Sequence, residues 1–152
     1  MTANTEPEYE IVEASVVVIA DDTGRVLLDF NDRWGGFTLP VSKRRPVSPR
    51  LPGGPTERET PLAAAVRAAA EVIGRPIDPA GLVESDAVVP PWHQSGRDGK
   101  WKRYDYTVFA FRFSGDPRPV PGHMAVRLTR SEIDTLAPIS PTVGLVLNAM
   151  PG

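Results

Sequence analysis

The chain has no cysteine among its 152 residues, which excludes disulfides, thiolate metal sites and cysteine nucleophiles. It also has no apolar run close to the ~20 residues that a membrane-spanning helix needs. The first residues, MTANTEPEYEIVE, are acidic and polar, unlike a signal peptide. A net charge of −2 gives no general attraction to nucleic acid or membranes. These absences favour a cytoplasmic protein with no membrane partner and no specific nucleic-acid partner.

Several catalytic motifs are also missing. The two histidines, His93 and His123, have no second histidine or cysteine at metal-ligand spacing. No serine lies in a Gly-x-Ser-x-Gly setting. The Gly53-Gly54 pair lacks the Lys-Ser/Thr ending of a P-loop. The sequence therefore gives neither histidine a catalytic or metal-binding role.

The composition is that of an ordinary globular protein, with 41% hydrophobic and 24% charged residues. Its 13 glycines and 17 prolines fall short of the fraction typical of disorder, so we expect long, proline-stiffened loops between regular elements. We predict a loose N-terminal tail over residues 1–12 and a single domain over residues 13–152.

Hydrophobic patterns predict strands, then a helix, then strands and helices. The predicted strands cover residues 14–20, 25–30, 37–40, 82–89, 104–113 and 125–128, and the predicted helices cover 61–73, 130–136 and 141–150. The proline-rich segment 41–55 is predicted to contain no regular element. This order favours a mixed sheet with helices packed against it.

The clearest element is the alanine-rich helix between Thr60 and Gly74. Thr60 is a suitable N-cap, Pro61 occupies the favoured first position, and Gly74 ends the helix. Arg67 and Glu71 fall one turn apart on its polar face. The residues with the spacing of a buried stripe are Leu62, Ala65, Val66, Ala69 and Ile73.

The segment from Gly53 to Gly74 resembles the Nudix box. That motif reads Gly, any five, Glu, any seven, Arg-Glu-aliphatic-any-Glu-Glu-any-Gly, and Glu59, Arg67 and Glu71 keep its frame. The resemblance implies an α/β fold of the α+β type: a Nudix-like α/β/α sandwich with a mixed, partly closed sheet. In that family the box holds a divalent metal against a diphosphate.

The box has lost two of its three helix carboxylates. Ala68, Glu71 and Val72 stand where the family has its metal-binding glutamates, so only Glu71 carries over. The resemblance implies Glu71 as the catalytic and metal residue, with Glu57 assisting and Mg²⁺ or Mn²⁺ as cofactor if the protein is active. It also implies Glu59 and Arg67 as a supporting pair in the catalytic site. Alternatively, Arg67 and Glu71 form a solvated helix pair worth a few tenths of a kcal/mol.

A second alignment of the box loop remains open. Residues 37–43, FTLPVSK, resemble the family's strand entering its Pro-Gly-Gly-Lys turn, with Val41 and Ser42 replacing both glycines. In that alignment residues 44–56 are an insertion. Both alignments keep Glu59 to Gly74 in frame.

Basic and aromatic loop residues are the candidates for ligand binding, because in the family such residues hold phosphates and bases. The candidates are Lys43, Arg44, Arg45, Gly53, Gly54, Trp92 and Arg103. The alternative is solvated loop charge, with tryptophans that fill the loop bases.

Three functions remain open from the sequence. The first is a metal-dependent hydrolase of nucleoside diphosphate-linked substrates with a degenerate box. The second is a non-catalytic Nudix-fold module that binds a nucleotide, a related anion or a protein. The third is a homodimer formed through the helix and the basic loop. The first two share a small phosphorylated or nucleotide-like ligand.

Overall fold

The computed structural model describes residues 10–32, 35–47, 57–89, 92–94 and 101–150, so the predicted tail lies largely outside it. The strands in these ranges are β1 (Glu10–Ala20), β2 (Val26–Asn31), β3 (Gly36–Thr38), β4 (Val41–Lys43), β5 (Pro46–Val47), β6 (Glu57–Arg58), β7 (Val83–Glu84), β8 (Trp92–Gln94), β9 (Trp101–Arg112) and β10 (His123–Leu128). The helices are α1 (Pro61–Ile73), α2 (Arg130–Asp134) and α3 (Pro141–Ala149), and Pro79–Gly81 form a 3₁₀ turn. No helix in these ranges has the length and apolar character needed to cross a bilayer.

The main sheet is mixed and has the strand order β10-β2-β1-β9-β7. At its centre β1 and β9 run parallel, in register from Glu10 opposite Lys102 to Ala20 opposite Arg112. The other pairings along the path are antiparallel. β3, β4 and β8 pair with β2, β1 and β9 respectively. The described part of the sheet is open, whereas the resemblance implied a partly closed one.

The centre of the protein is β1, which is buried on both faces. Val17 and Ile19 pack in a cluster with α1, and Val16 and Val18 pack in a second cluster with α2 and α3. Successive side chains of a strand point to opposite faces, so one strand supplies both cores. The predicted α/β/α sandwich is thereby confirmed. β1 begins four residues before the predicted strand.

Helix α1 has the predicted bounds and caps. The Thr60 side chain accepts a hydrogen bond from the Ala63 amide at 3.1 Å, and Gly74 takes a left-handed conformation with φ +84°. The predicted stripe is only partly correct, since Leu62 is 38% exposed. The residues that face the core are Ala64, Ala65, Ala68, Ala69, Val72 and Ile73. Small side chains on this face allow the helix to approach the sheet closely.

Two strand predictions are corrected. The segment 41–55 does contain regular structure: β4 pairs with β1, and β5 pairs with β6. The prolines of this segment begin only at Pro46. The partner of β4 lies 25 to 29 residues earlier in the chain, from Val16 opposite Val41 to Ala14 opposite Lys43, where local patterns do not reveal it. The strand predicted over 82–89 is reduced to the two residues of β7.

We predict that restoring a box carboxylate at position 68 destabilises the protein. Ala68 is 2% exposed in the α1 core cluster, so Ala68→Glu places a charge in an apolar environment. We expect a loss of about 3–5 kcal/mol in the free energy of unfolding, measured by urea denaturation. Ala63→Glu is the control, because Ala63 is exposed on the same helix and should change stability by less than ~0.5 kcal/mol. Equal stability of the two variants would contradict the burial of this helix face.

Gly74 and Gly144 should respond oppositely to alanine. A Cβ at Gly74 would overlap the carbonyl of Arg118, and its φ is positive, so Gly74→Ala should cost more than about 2 kcal/mol. Gly144 lies within α3, and nothing stands near a Cβ there, so Gly144→Ala should stabilise the protein by up to ~1 kcal/mol. Thermal unfolding of both variants tests this. A stable Gly74→Ala variant would contradict the contact between α1 and residue 118.

Candidate functional site

The segment that follows β9 binds along the C-terminal end of α1. The Arg118 amide donates to the Ile73 carbonyl at 2.8 Å, and the Val120 amide donates to the Glu71 carbonyl at 3.0 Å. The last carbonyls of a helix lack partners within the helix, so these bonds satisfy two of them. They also fix the path by which the chain enters β10, and this path brings His123 beside Glu71.

His123 lies between two carboxylates. Its Nδ1 atom is 2.6 Å from Oδ2 of Asp29, and its Nε2 atom is 3.5 Å from Oε2 of Glu71. Leu27 faces α1, so Asp29, two residues further along β2, points to the same side of the sheet. His123 pairs with Asn31 and is therefore the diagonal neighbour of Asp29. The register of β10 on β2 thus determines the contact.

Asp29 is a buried acid, with 4% exposure. Burial raises its pKa, and the hydrogen bonds with His123 and from the Met124 amide partly offset this effect. Its second oxygen, Oδ1, accepts the Met124 amide at 3.1 Å. Both carboxylate oxygens are therefore engaged, one by a backbone amide and one by the imidazole.

An open cleft of about 390 Å³ lies over His123 and Glu71. This volume is near the lower end of small-molecule sites. The residues that line it are Asn31, Asp32, Arg45, Glu71, Pro121, Gly122 and His123. Arg45 contributes a positive charge, and Asp32 and Glu71 contribute negative ones. Such a mixture of donors and acceptors suits a polar ligand.

Arg67 and Glu59 form an ion pair at the loop that precedes α1. Arg67 also donates to the Lys43 carbonyl at 3.0 Å, and Glu59 accepts the Arg45 amide at 2.9 Å. Burial opposes ionisation of Glu59, but the hydrogen bonds from the Arg45 amide and the Arg67 side chain lower its pKa. This has the form of the supporting pair that the box implies. Arg67 and Glu71 engage different partners, so the structure does not show the alternative in which these two residues form a simple pair.

Hydrogen bonds join the two described ends of the box loop. The Glu59 amide donates to the Arg45 carbonyl at 2.8 Å, and β5 and β6 pair just beyond this point. The ends of this loop, Pro46–Val47 and Glu57–Arg58, therefore lie side by side. Whether Val41-Ser42 or Gly53-Gly54 matches the family's glycine turn stays a prediction, because the second pair lies outside the described residues.

The other predicted binding residues are dispersed. Arg44 is tied into the structure by an ion pair with Glu13 and a 2.7 Å hydrogen bond to the Glu59 carbonyl. Arg103 is exposed on β9 and lies 3.2 Å from Asp105 on the same strand. Lys43 is exposed at the end of β4. Of the predicted residues with described side chains, Glu71 and Arg45 meet at the cleft.

The remaining predicted site residues are described only in part. Glu57 and Trp92 are placed by their backbones in β6 and β8, and their side chains lie outside the described residues. Gly53 and Gly54 lie wholly outside them. Their roles stay predictions.

The described residues do not fit the metal site of the family. Ala68 and Val72, at two of the box carboxylate positions, are 2% and 1% exposed in the α1 core. Mg²⁺ requires near-octahedral oxygen coordination, usually with more than one ligand from protein or substrate. Within the described ranges, no three His, Asp or Glu side chains are grouped so as to hold a metal ion. Glu71 is the single helix carboxylate at the cleft.

Sequence reasoning missed Asp29 and His123. One signal was present: RVLLDF has an acid within an apolar strand, and a buried acid requires a partner. The identity of that partner was not visible, because the two residues are 94 positions apart.

Solved structures of Nudix hydrolases share this fold. The MutT protein from Methanosarcina mazei Go1 has a TM-score of 0.62 and 16% identity, over 91% of each chain. A MutT Nudix hydrolase from Burkholderia pseudomallei has a TM-score of 0.61 and 18% identity, over 93% of this chain and 99% of that one. A C. elegans Ap4A hydrolase in a binary complex has a TM-score of 0.60 and 18% identity, over 90% of this chain and 93% of that one.

No family model matches the sequence, and the search of curated proteins finds no match. At these identities the likeness is one of fold. The chain has the fold of the Nudix hydrolases, as the box resemblance implied.

Proposed function

We propose that this chain is a Nudix-family protein that binds a small phosphorylated, nucleotide-like ligand in the cleft beside α1, without metal-dependent hydrolysis by the box helix. The observation that carries this proposal is the burial of Ala68 and Val72 in the core, next to a polar cleft that remains open. The helix lacks two of the box carboxylates, whereas the cleft presents charged groups that suit a ligand.

Arg45 is the residue most suited to a phosphate. It lines the cleft, and its backbone is held by two hydrogen bonds to Glu59, one through its amide and one through its carbonyl. A guanidinium group can form two parallel hydrogen bonds with phosphate oxygens. The contacts of Glu59 with Arg67 and Arg45 thus support the part of the loop that brings this charge to the cleft.

A second candidate is the metal-dependent hydrolase of nucleoside diphosphate-linked substrates. The observation that favours it is the surviving frame, in which Glu71 faces the cleft and the Glu59–Arg67 pair is formed. It requires further metal ligands from the ligand itself or from residues outside the described ranges. The two candidates predict opposite results when metal is supplied.

We expect the wild-type protein to bind pyrophosphate and ADP in the presence of EDTA, because the proposed contacts come from side chains. Isothermal titration calorimetry measures this directly. Arg45→Ala should weaken binding of both compounds about tenfold or more, since a charge-assisted hydrogen bond is lost. Arg112→Ala is the control, because Arg112 is exposed at the opposite end of the sheet. The proposal fails if neither compound binds, or if both arginine variants behave alike.

We expect no turnover that depends on both metal and Glu71. The assay is phosphate release with Mg²⁺ or Mn²⁺ from nucleoside triphosphates, dinucleoside polyphosphates, NADH and nucleotide sugars. Wild type is compared with Glu71→Gln and with Glu84→Gln, which changes an exposed acid on β7 at the far edge of the sheet. Turnover that disappears only in Glu71→Gln would establish the hydrolase instead.

A further inference from the structure

Two opposite charges line the cleft without pairing with each other. Asp32 contributes a carboxylate and Arg45 a guanidinium group, and both side chains are exposed. In the described part of the chain, neither charged group forms a hydrogen bond or an ion pair. By contrast, Arg44 and Arg67 each form an ion pair. The charges of Asp32 and Arg45 are therefore available to a ligand.

The backbones that carry these two charges are held in place. Asp32 follows β2, whose last residue pairs with β10 on one side and with β3 on the other. The Gly35 amide donates to the Asn31 carbonyl at 2.8 Å, which closes the turn that contains Asp32. Arg45 is held through its amide and its carbonyl, which both bond to Glu59. Such pre-organisation favours a ligand whose own charges match the arrangement.

The charges along the cleft do not sum to a positive value. Asp32 and Glu71 each contribute a negative charge, and Arg45 contributes a positive one. The lining therefore carries one net negative charge when the ring of His123 is neutral, and no net charge when the ring is protonated. A diphosphate meets a single arginine there, and the acids repel it. A positive group beside the phosphate would offset that repulsion in either state of the ring.

We propose that the cleft binds a phosphate ester with an ammonium group close to its phosphate. Arg45 binds the phosphate, because a guanidinium group can donate two parallel hydrogen bonds to phosphate oxygens. Asp32 binds the ammonium group, whose three donors suit a carboxylate that only accepts. The proposal rests on the ligand-binding function proposed above and specifies its substrate class. It makes Asp32 a specificity-determining residue.

The first test compares aminoalkyl phosphates with uncharged analogues of the same size. 2-Aminoethyl phosphate is paired with propyl phosphate, and 3-aminopropyl phosphate with butyl phosphate, so that a methyl group replaces the ammonium group in each pair. NMR titration at neutral pH in EDTA measures such weak affinities. Because Asp32 is exposed, we expect wild type to bind the better ammonium compound about fivefold more tightly than its analogue.

Three variants assign the two contacts. Asp32→Asn should bring the ratio of affinities close to one, because a neutral amide replaces the carboxylate. Arg45→Ala should weaken binding of all four esters and keep the ratio. Asp86→Asn is the matched control, since Asp86 is an exposed aspartate that follows β7 at the other edge of the sheet. It should change neither the affinities nor the ratio.

Pyrophosphate provides a second measurement, which separates recognition from structural damage. Asp32→Asn removes a negative charge from the lining, so pyrophosphate should bind about threefold more tightly while the aminoalkyl phosphates bind less tightly. A variant that had merely disturbed the cleft would weaken both kinds of ligand. Opposite changes in the same variant are therefore expected only if the carboxylate meets the ammonium group.

The outcomes separate the two proposals. Equal affinity of wild type for the members of each pair would overturn the ammonium site and leave the phosphate-binding function in place. A ratio that persists in Asp32→Asn, or pyrophosphate binding that this substitution does not strengthen, would also overturn the ammonium site. Binding of pyrophosphate without binding of any ester would have the same consequence. Absence of binding by pyrophosphate, ADP and all four esters would overturn both proposals together.

Discussion

The fold depends on the burial of β1 on both faces. A strand of this kind requires an apolar layer on each side, and α1 supplies one of them through six small or aliphatic side chains. Ala68 and Val72 belong to that layer. Because a carboxylate at either position would lose its hydration, close packing of the helix and the acidic chemistry of a Nudix box compete for the same surface. In this chain both positions carry apolar residues that pack in the core.

The charged residues of α1, Arg67 and Glu71, lie at the edges of this apolar surface. Arg67 and Glu59 hold the loop on the N-terminal side, and their contacts extend to the backbone of Lys43 and Arg45. Glu71, one turn further along, meets His123 on the C-terminal side. Arg45, from the loop held by the Glu59–Arg67 pair, and Glu71, from the C-terminal side of α1, both line the cleft. The packing of the helix therefore also determines which charges reach the cleft.

Sequence patterns predicted the features that depend on neighbouring residues. They missed the features that depend on contacts between distant parts of the chain. The bounds of α1 followed from Thr60, Pro61 and Gly74, which act on neighbouring residues. β4 was missed because its partner is β1, and the exposure of Leu62 was missed because tertiary packing sets the rotation of a helix. For the site, sequence indicated Glu71 and the Glu59–Arg67 pair, but not the pairing of strands that unites Asp29 with His123.

Stability alone does not explain the burial of Asp29. An acid at 4% exposure incurs a desolvation cost, and an ion pair in such a place often stabilises a protein no more than apolar residues would. Leu27 and Leu28 show that β2 accepts apolar side chains on either face. Asp29 instead holds the imidazole of His123, whose other nitrogen lies 3.5 Å from Glu71 beside the cleft. Buried ionisable groups that act on a neighbour in this way are typical of binding and catalytic sites.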